Sequence, residues 1–120
     1  MGELNYMEIA AADAARAHGF WSQLLGWRFN GEPGPEQPYV MAQAGNVGIG
    51  LFGAEEPGLW PYFYVPSVDE TARRVEELGG RILTRGPVEG VGWHARCEDT
   101  EGNRFGLFQP DPKAPLPDPA

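Results

Sequence analysis

The sequence predicts an α+β fold made of two tandem βαβββ modules whose curved mixed sheets form a cup. Three observations predict it. The helix caps Asp13 and Ser67 stand 54 residues apart, and the helix-ending Gly26 and Gly79 stand 53 apart. The tripeptide Gly50-Leu51-Phe52 returns as Gly106-Leu107-Phe108, offset by 56. Two copies at so long a period indicate a duplicated supersecondary unit rather than a solenoid. A single unit carries its helix on one face of its sheet only, so the other face needs a partner, which the second unit supplies. A ligand would sit in the cup between them.

Leu4 to Ala10 reads as the first strand, and Asp13 caps the helix after it. In that helix Ala17, Phe20, Trp21, Leu24 and Leu25 recur at three- and four-residue steps, which predicts a core-facing stripe. Gly26 supplies the left-handed stop. Trp27 to Asn30 is expected to begin a second strand, and the Gly/Pro-rich stretch from Gly31 to Pro38 reads as a loop. Tyr39 to Ala44 and Val47 to Phe52 form a hairpin around Gly45-Asn46.

The second module repeats this grammar. Trp60 to Val65 is a strand, and Ser67-Val68-Asp69-Glu70 is a capping box. Ala72, Val75 and Leu78 form the expected buried stripe, and Gly79-Gly80 ends the helix. Arg81 to Thr84, Trp93 to Glu98 and Arg104 to Phe108 are three more strands. The modules thus cover about residues 4–53 and 60–109 of a single domain, 1–110. Residues 111–120 carry four prolines and read as an extended or mobile tail.

Composition narrows the function classes. Hydrophobic residues make up 42% of the 120, enough for one core. Nine basic against seventeen acidic residues give a net charge of −8 with no basic stripe, which argues against nucleic acid. The apolar runs are too short to span a bilayer, and no signal-like segment opens the chain, so no membrane partner is expected. With Cys97 as the single cysteine, a cytoplasmic location is the simplest expectation.

The run Gly19-Phe20-Trp21-Ser22-Gln23-Leu24-Leu25-Gly26-Trp27 resembles the opening of the vicinal-oxygen-chelate superfamily, which includes glyoxalase I, extradiol dioxygenases and the fosfomycin- and bleomycin-resistance proteins. The run from Asp99 to Gln109, Asp-Thr-Glu-Gly-Asn-Arg-Phe-Gly-Leu-Phe-Gln, is similar to the closing D-P-x-G-N motif of that superfamily, with Thr100 in place of the proline. The resemblance spans about residues 4–110. Metal-dependent members place ligands in the first and last strands of each module. Carried over position by position, these sites are Tyr6, Trp60, Gly50 and Gly106. Glycine has no side chain, indole no available lone pair, and a neutral phenol is a weak ligand. The two histidines, His18 and His94, stand in no metal-binding spacing. Neither metal nor cofactor is expected.

Strand alternation then says which residues share a face with those positions. Tyr6 brings Glu8; Trp60 brings Tyr62 and Tyr64; the two glycines bring Phe52, Arg104 and Phe108. Met7, Ile9, Ile49, Leu51, Phe63, Val65, Phe105 and Leu107 form the apolar, helix-covered set. The pattern of the superfamily turns His94 and Arg96 to the cup side and Trp93, Ala95 and Cys97 away. Aromatic walls with a few charges suit a flat or apolar small molecule. The leading expectation is a metal-independent small-molecule-binding homodimer of the glyoxalase/bleomycin-resistance type, with antibiotic sequestration among the roles the resemblance implies. The alternatives are a metal-independent isomerase, lyase or cyclase using Glu8 or His94 as proton carrier, and a regulatory chain whose own aromatics fill the space.

Overall fold

A computed structural model of the chain, describing residues 1–117, shows both helix caps in place. The Asp13 carboxylate accepts the Arg16 N–H at 3.0 Å and the Ser67 hydroxyl accepts the Glu70 N–H at 3.1 Å, each satisfying a donor that a helix start leaves open. The elements run β1 (Leu4–Ala11), α1 (Ala14–Leu25), β2 (Tyr39–Ala44), β3 (Val47–Gly53), β4 (Gly58–Tyr64), α2 (Val68–Glu77), β5 (Arg81–Val88), β6 (Gly92–Glu98) and β7 (Arg104–Pro110). Among the described residues, two helices and seven strands make the fold α+β. Gly26 stops α1 at φ 72°, a left-handed conformation that an L side chain adopts only with strain, and its N–H bonds the Ser22 carbonyl.

The chain divides into two compact units, one of residues 5–60 and one of residues 1–4 together with 61 onward. In the first, the strand order is β2-β3-β1, with β1 parallel and β2 antiparallel to β3. Ile9, Val40, Ile49 and Leu51 form its buried core, and Met7, Ala17, Trp21, Trp27 and Phe29 pack against them. In the second, the order is β4-β7-β6-β5, with β4 parallel to β7 and the remaining pairs antiparallel. Val65, Val68, Ala95, Cys97 and Leu107 make its core, with Val75, Ile82, Trp93 and Phe105 against them. The residues assigned to the helix-covered face by alternation supply Ile9, Ile49 and Leu51 of the first core and Val65 and Leu107 of the second.

Four expectations need correction. Trp27 to Asn30 is not a strand. The Asn30 backbone N–H reaches the Met41 carbonyl, but the Met41 N–H is bonded by the Asn30 side chain, and the Gly/Pro run beyond offers no further rung. The first module is therefore βαββ. On α1, Ala17 and Trp21 meet the core while Phe20 and Leu24 are 58% and 61% exposed and Leu25 is half exposed. A single i, i+4 line covers this sheet face, and the neighbouring line on the helix points to solvent. Leu78 is exposed for a different reason: it caps α2 with ψ near 0°, off the helical stripe. The tail is anchored through residue 114. Ala114 is buried, its carbonyl accepts the Gly90 N–H, and the Asp111 N–H bonds the Val91 carbonyl. Residues 118–120 of the expected tail lie outside the described residues.

Candidate functional site

The helix-free face of the residue 5–60 unit carries a hydrogen-bonded chain. Parallel pairing sets Tyr6 opposite Gly48 and Glu8 opposite Gly50, while the hairpin sets Tyr39 opposite Phe52. Alternation then puts Tyr6, Glu8, Tyr39, Gly48, Gly50 and Phe52 on one face. The Tyr39 hydroxyl donates to Glu8 Oε2 at 2.9 Å, and the Tyr6 and Tyr39 hydroxyls stand 2.6 Å apart. Since Tyr39 has one hydroxyl proton and gives it to the carboxylate, Tyr6 is the donor of the shorter bond. The relay therefore runs Tyr6 to Tyr39 to Glu8. The Tyr39 ring is further fixed by stacking on Phe52, centroids 5.7 Å apart.

Electrostatics keeps both phenols neutral. Burial is the largest influence on each and raises its pKa. For Tyr39 the contact with the Tyr6 hydroxyl and the negative charge of Glu8 push it further up. For Tyr6 the negative charge of Glu8 adds to the effect of burial.

The second unit repeats the layout with different side chains. Tyr62 stands opposite Gly106 as Glu8 stands opposite Gly50, and Arg96 flanks Gly106 from the other side. Arg96 Nε donates to the Tyr62 hydroxyl at 3.0 Å. Tyr64 and His94 both pair with Phe108, and Arg104 starts β7 opposite Glu98. Trp60, at the end of the first unit, and Tyr62 are 8% and 5% exposed, so most of their ring surface is already packed. Among the sequence-assigned residues, Tyr6 and Glu8 are linked through Tyr39, and Tyr62 is linked to Arg96. Tyr39 itself is not among them. The hairpin centred on Gly45-Asn46 pairs it with Phe52, so the parity of that turn is the signal that would have found it.

The positions where metal-dependent relatives place ligands do not fit a metal here. A Cβ at Gly50 would overlap the Tyr39 hydroxyl and lie 2.5 Å from that of Tyr6, so the phenols occupy the space a ligating side chain would need. A Cβ at Gly106 would run into the Tyr62 ring, 2.7 Å from its Cγ. Neutral phenols and an indole are poor partners for a divalent ion. Among the described residues, no three His, Cys, Asp or Glu side chains gather to hold one. Cys97 is buried in the second core, and burial pushes its thiol up to about 11, which leaves it unreactive at neutral pH.

Modules of this element order and strand pairing have the glyoxalase-like fold. Residues 6–108 match the sequence model of the glyoxalase-like domain, and the chain belongs to that family, within the vicinal-oxygen-chelate superfamily. Among solved structures, a hypothetical protein from Bacillus halodurans C-125 superposes with a TM-score of 0.68 at 20% identity, over 96% of this chain and 99% of that one. Methylmalonyl-CoA epimerase from Mycobacterium tuberculosis gives 0.63 at 21% identity, over 92% and 89%. A variant of homoprotocatechuate 2,3-dioxygenase from B. fuscum gives 0.68 at 24% identity, over 89% of this chain but 32% of that one. At these identities the likeness is one of fold. A search of curated protein sequences gives no match. No helix among the described residues is long and apolar enough to cross a membrane.

Proposed function

We propose that this chain is a metal-independent small-molecule-binding member of the glyoxalase-like family, taking an aromatic or apolar ligand with a polar group on its helix-free sheet faces. Sequestration of an antibiotic-like compound is a role of this kind. The observation that carries the reading is the Tyr6–Tyr39–Glu8 chain over Gly50. Its two phenols fill the position of a metal ligand with neutral hydroxyls beside an aromatic wall, and its carboxylate accepts a hydrogen bond from Tyr39. Such a face holds a ring by stacking and a polar substituent by hydrogen bonds, with no demand for a cation. The chain acts as a cytoplasmic homodimer in this reading. Its cysteine suits a reducing compartment, and β2 and β5 each pair with one strand only, leaving edges for a second copy. Light scattering should give a mass near twice 13.1 kDa, and a monomer at high micromolar concentration would contradict this part.

One observation favours a second reading, a metal-independent enzyme: a phenol relay that ends on a carboxylate can pass a proton, and two of the structural neighbours are named as an epimerase and a dioxygenase. In that reading Glu8 is the base and His94 the alternative proton carrier. Glu8→Gln separates the two. A binding protein keeps its affinity within a few-fold, whereas an enzyme using Glu8 keeps binding and loses turnover by about two to four orders of magnitude.

A further inference from the structure

A pocket of about 330 Å³ lies wholly within the second unit, where the start of α2 meets the β5–β6 hairpin. Val68, Asp69, Arg85, Gly86, Trp93, His94 and Gln109 line it. This volume is at the small end of ligand pockets, which run from about 300 to 1,000 Å³, and suits one or two fused rings. The helix start is not what a ligand would bind, because the Val68 N–H already bonds Gln109 Oε1 at 2.9 Å and the Glu70 N–H bonds Ser67.

Two features define what the pocket selects. Trp93 packs against the core cluster and its indole N–H is held by Asp111 Oδ2 at 3.0 Å, so it offers ring surface rather than a donor. The pocket lies on the α2 side of the hairpin, where Arg85 and Trp93 project, whereas Gly86 pairs with His94 on the other face and borders the pocket only through its backbone. Arg85 closes a salt bridge with Asp69 at the mouth, with side chains 43% and 79% exposed. An exposed pair of this kind contributes little, so another carboxylate can replace Asp69 on the guanidinium, whose planar fork matches a carboxylate in two parallel hydrogen bonds.

We infer that this pocket is a second binding site, for a small aromatic monocarboxylate whose ring lies against Trp93 and whose carboxylate displaces Asp69 from Arg85. The Asp69–Arg85 pair acts as an internal competitor. Removing Asp69 should therefore tighten binding rather than weaken it, an outcome that a merely structural ion pair would not give.

The test uses 1-naphthoate, with 1-naphthamide as its neutral counterpart, titrated into the full chain and followed by backbone and indole N–H chemical shifts. The expected result is saturable binding of the acid with shifts centred on residues 68–69, 85–86, 93–94 and 109, and binding of the amide at least tenfold weaker. Arg85→Gln should lower the affinity for the acid at least tenfold, and Asp69→Asn should raise it several-fold. Trp93→Leu removes the ring surface and should lower the affinity for the acid at least tenfold, with an unchanged circular dichroism spectrum showing that the fold persists. Equal binding of acid and amide, shifts lying elsewhere, no binding up to millimolar acid, unchanged affinity in Trp93→Leu, or unchanged or weaker affinity in Asp69→Asn would each overturn the assignment.

Discussion

Gly50→Ala adds one methyl group to a strand and should destabilise the protein, against the usual sign of that change. Replacing glycine by alanine at a position with compatible backbone angles normally stabilises by about 0.4–1 kcal/mol, because the unfolded chain loses freedom. At Gly50 the new Cβ would overlap the Tyr39 hydroxyl and stand 2.5 Å from the Tyr6 hydroxyl. The Tyr39 ring cannot swing aside freely, since it stacks on Phe52 and bonds Glu8. Relieving the overlap breaks the relay, and overpacking of this kind costs about 1–3 kcal/mol. With m near 1–3 kcal/mol/M, the urea midpoint should fall by roughly 1 M at neutral pH, read by circular dichroism. In a Tyr39→Leu background the same change should cost less, with a coupling of about 0.5–3 kcal/mol between the two sites. Gly86→Ala, whose Cβ meets nothing within 4 Å, is the control and should be neutral or slightly stabilising. A neutral Gly50→Ala, or one equally costly in the Tyr39→Leu background, would refute the claim that the phenols fill this position.

Two further outcomes follow from the structure. Asp99 holds the turn before β7 by accepting the backbone N–H groups of Glu101 and Asn103, each at 2.8 Å, and the Asn103 side-chain amide at 2.9 Å. These bonds, that of the Asn103 side chain foremost, hold its carboxyl below the usual value of 3.8. A lowered folded pKa gives stability that is fully present above the unfolded value and lost as pH falls through the folded one. Asp99→Ala should therefore lower the urea midpoint at pH 7, and its gap from the parent should close as pH drops below about 4. A gap independent of pH would contradict it. Separately, a neutral aromatic probe such as 2-naphthol should quench tryptophan emission, and Trp60→Phe should remove most of that quench. Trp21 and Trp27 stack on each other, 5.3 Å apart, against the helix-side core and should report little. A quench that survives in Trp60→Phe would place the probe elsewhere.

The duplication was legible because its signals are local. Caps at Asp13 and Ser67 and the two Gly-Leu-Phe runs each follow from side-chain chemistry within a few residues, and the offsets between copies fix which strand positions correspond. Alternation put Glu8 on one face with Tyr6 and Gly50, and Tyr62 on one face with Trp60 and Gly106, but named no cross-strand partners; the pairing of β1 with β3 and of β4 with β7 sets Glu8 opposite Gly50 and Tyr62 opposite Gly106. Tyr39 escaped because alternation assigns faces only relative to an anchored strand, and the anchors lay on the first and last strands of each module. Trp27 to Asn30 carries β-forming aromatics, yet a strand needs repeated pairing, and a single backbone rung at Asn30 does not make one. The periodicity of α1 gives the direction of its apolar stripe but not the width of the sheet face it covers, so it points Phe20 and Leu24 inward when the face takes only one line. Ala114 sits in a proline-rich run whose composition suggests disorder. Its burial depends on a turn contact with Gly90 that no short-range pattern encodes.

The central claim is that the helix-free face binds its ligand without a metal, and chelation tests it most directly. Purified protein should be assayed for zinc, iron, manganese and nickel by elemental analysis. It should then be titrated with 2-naphthol in EDTA and again with each ion added in excess. Substoichiometric metal and the same dissociation constant under every condition are expected, because phenols and glycines stand where ligands would be needed. Stoichiometric metal that leaves on chelation and takes probe binding with it would contradict the account.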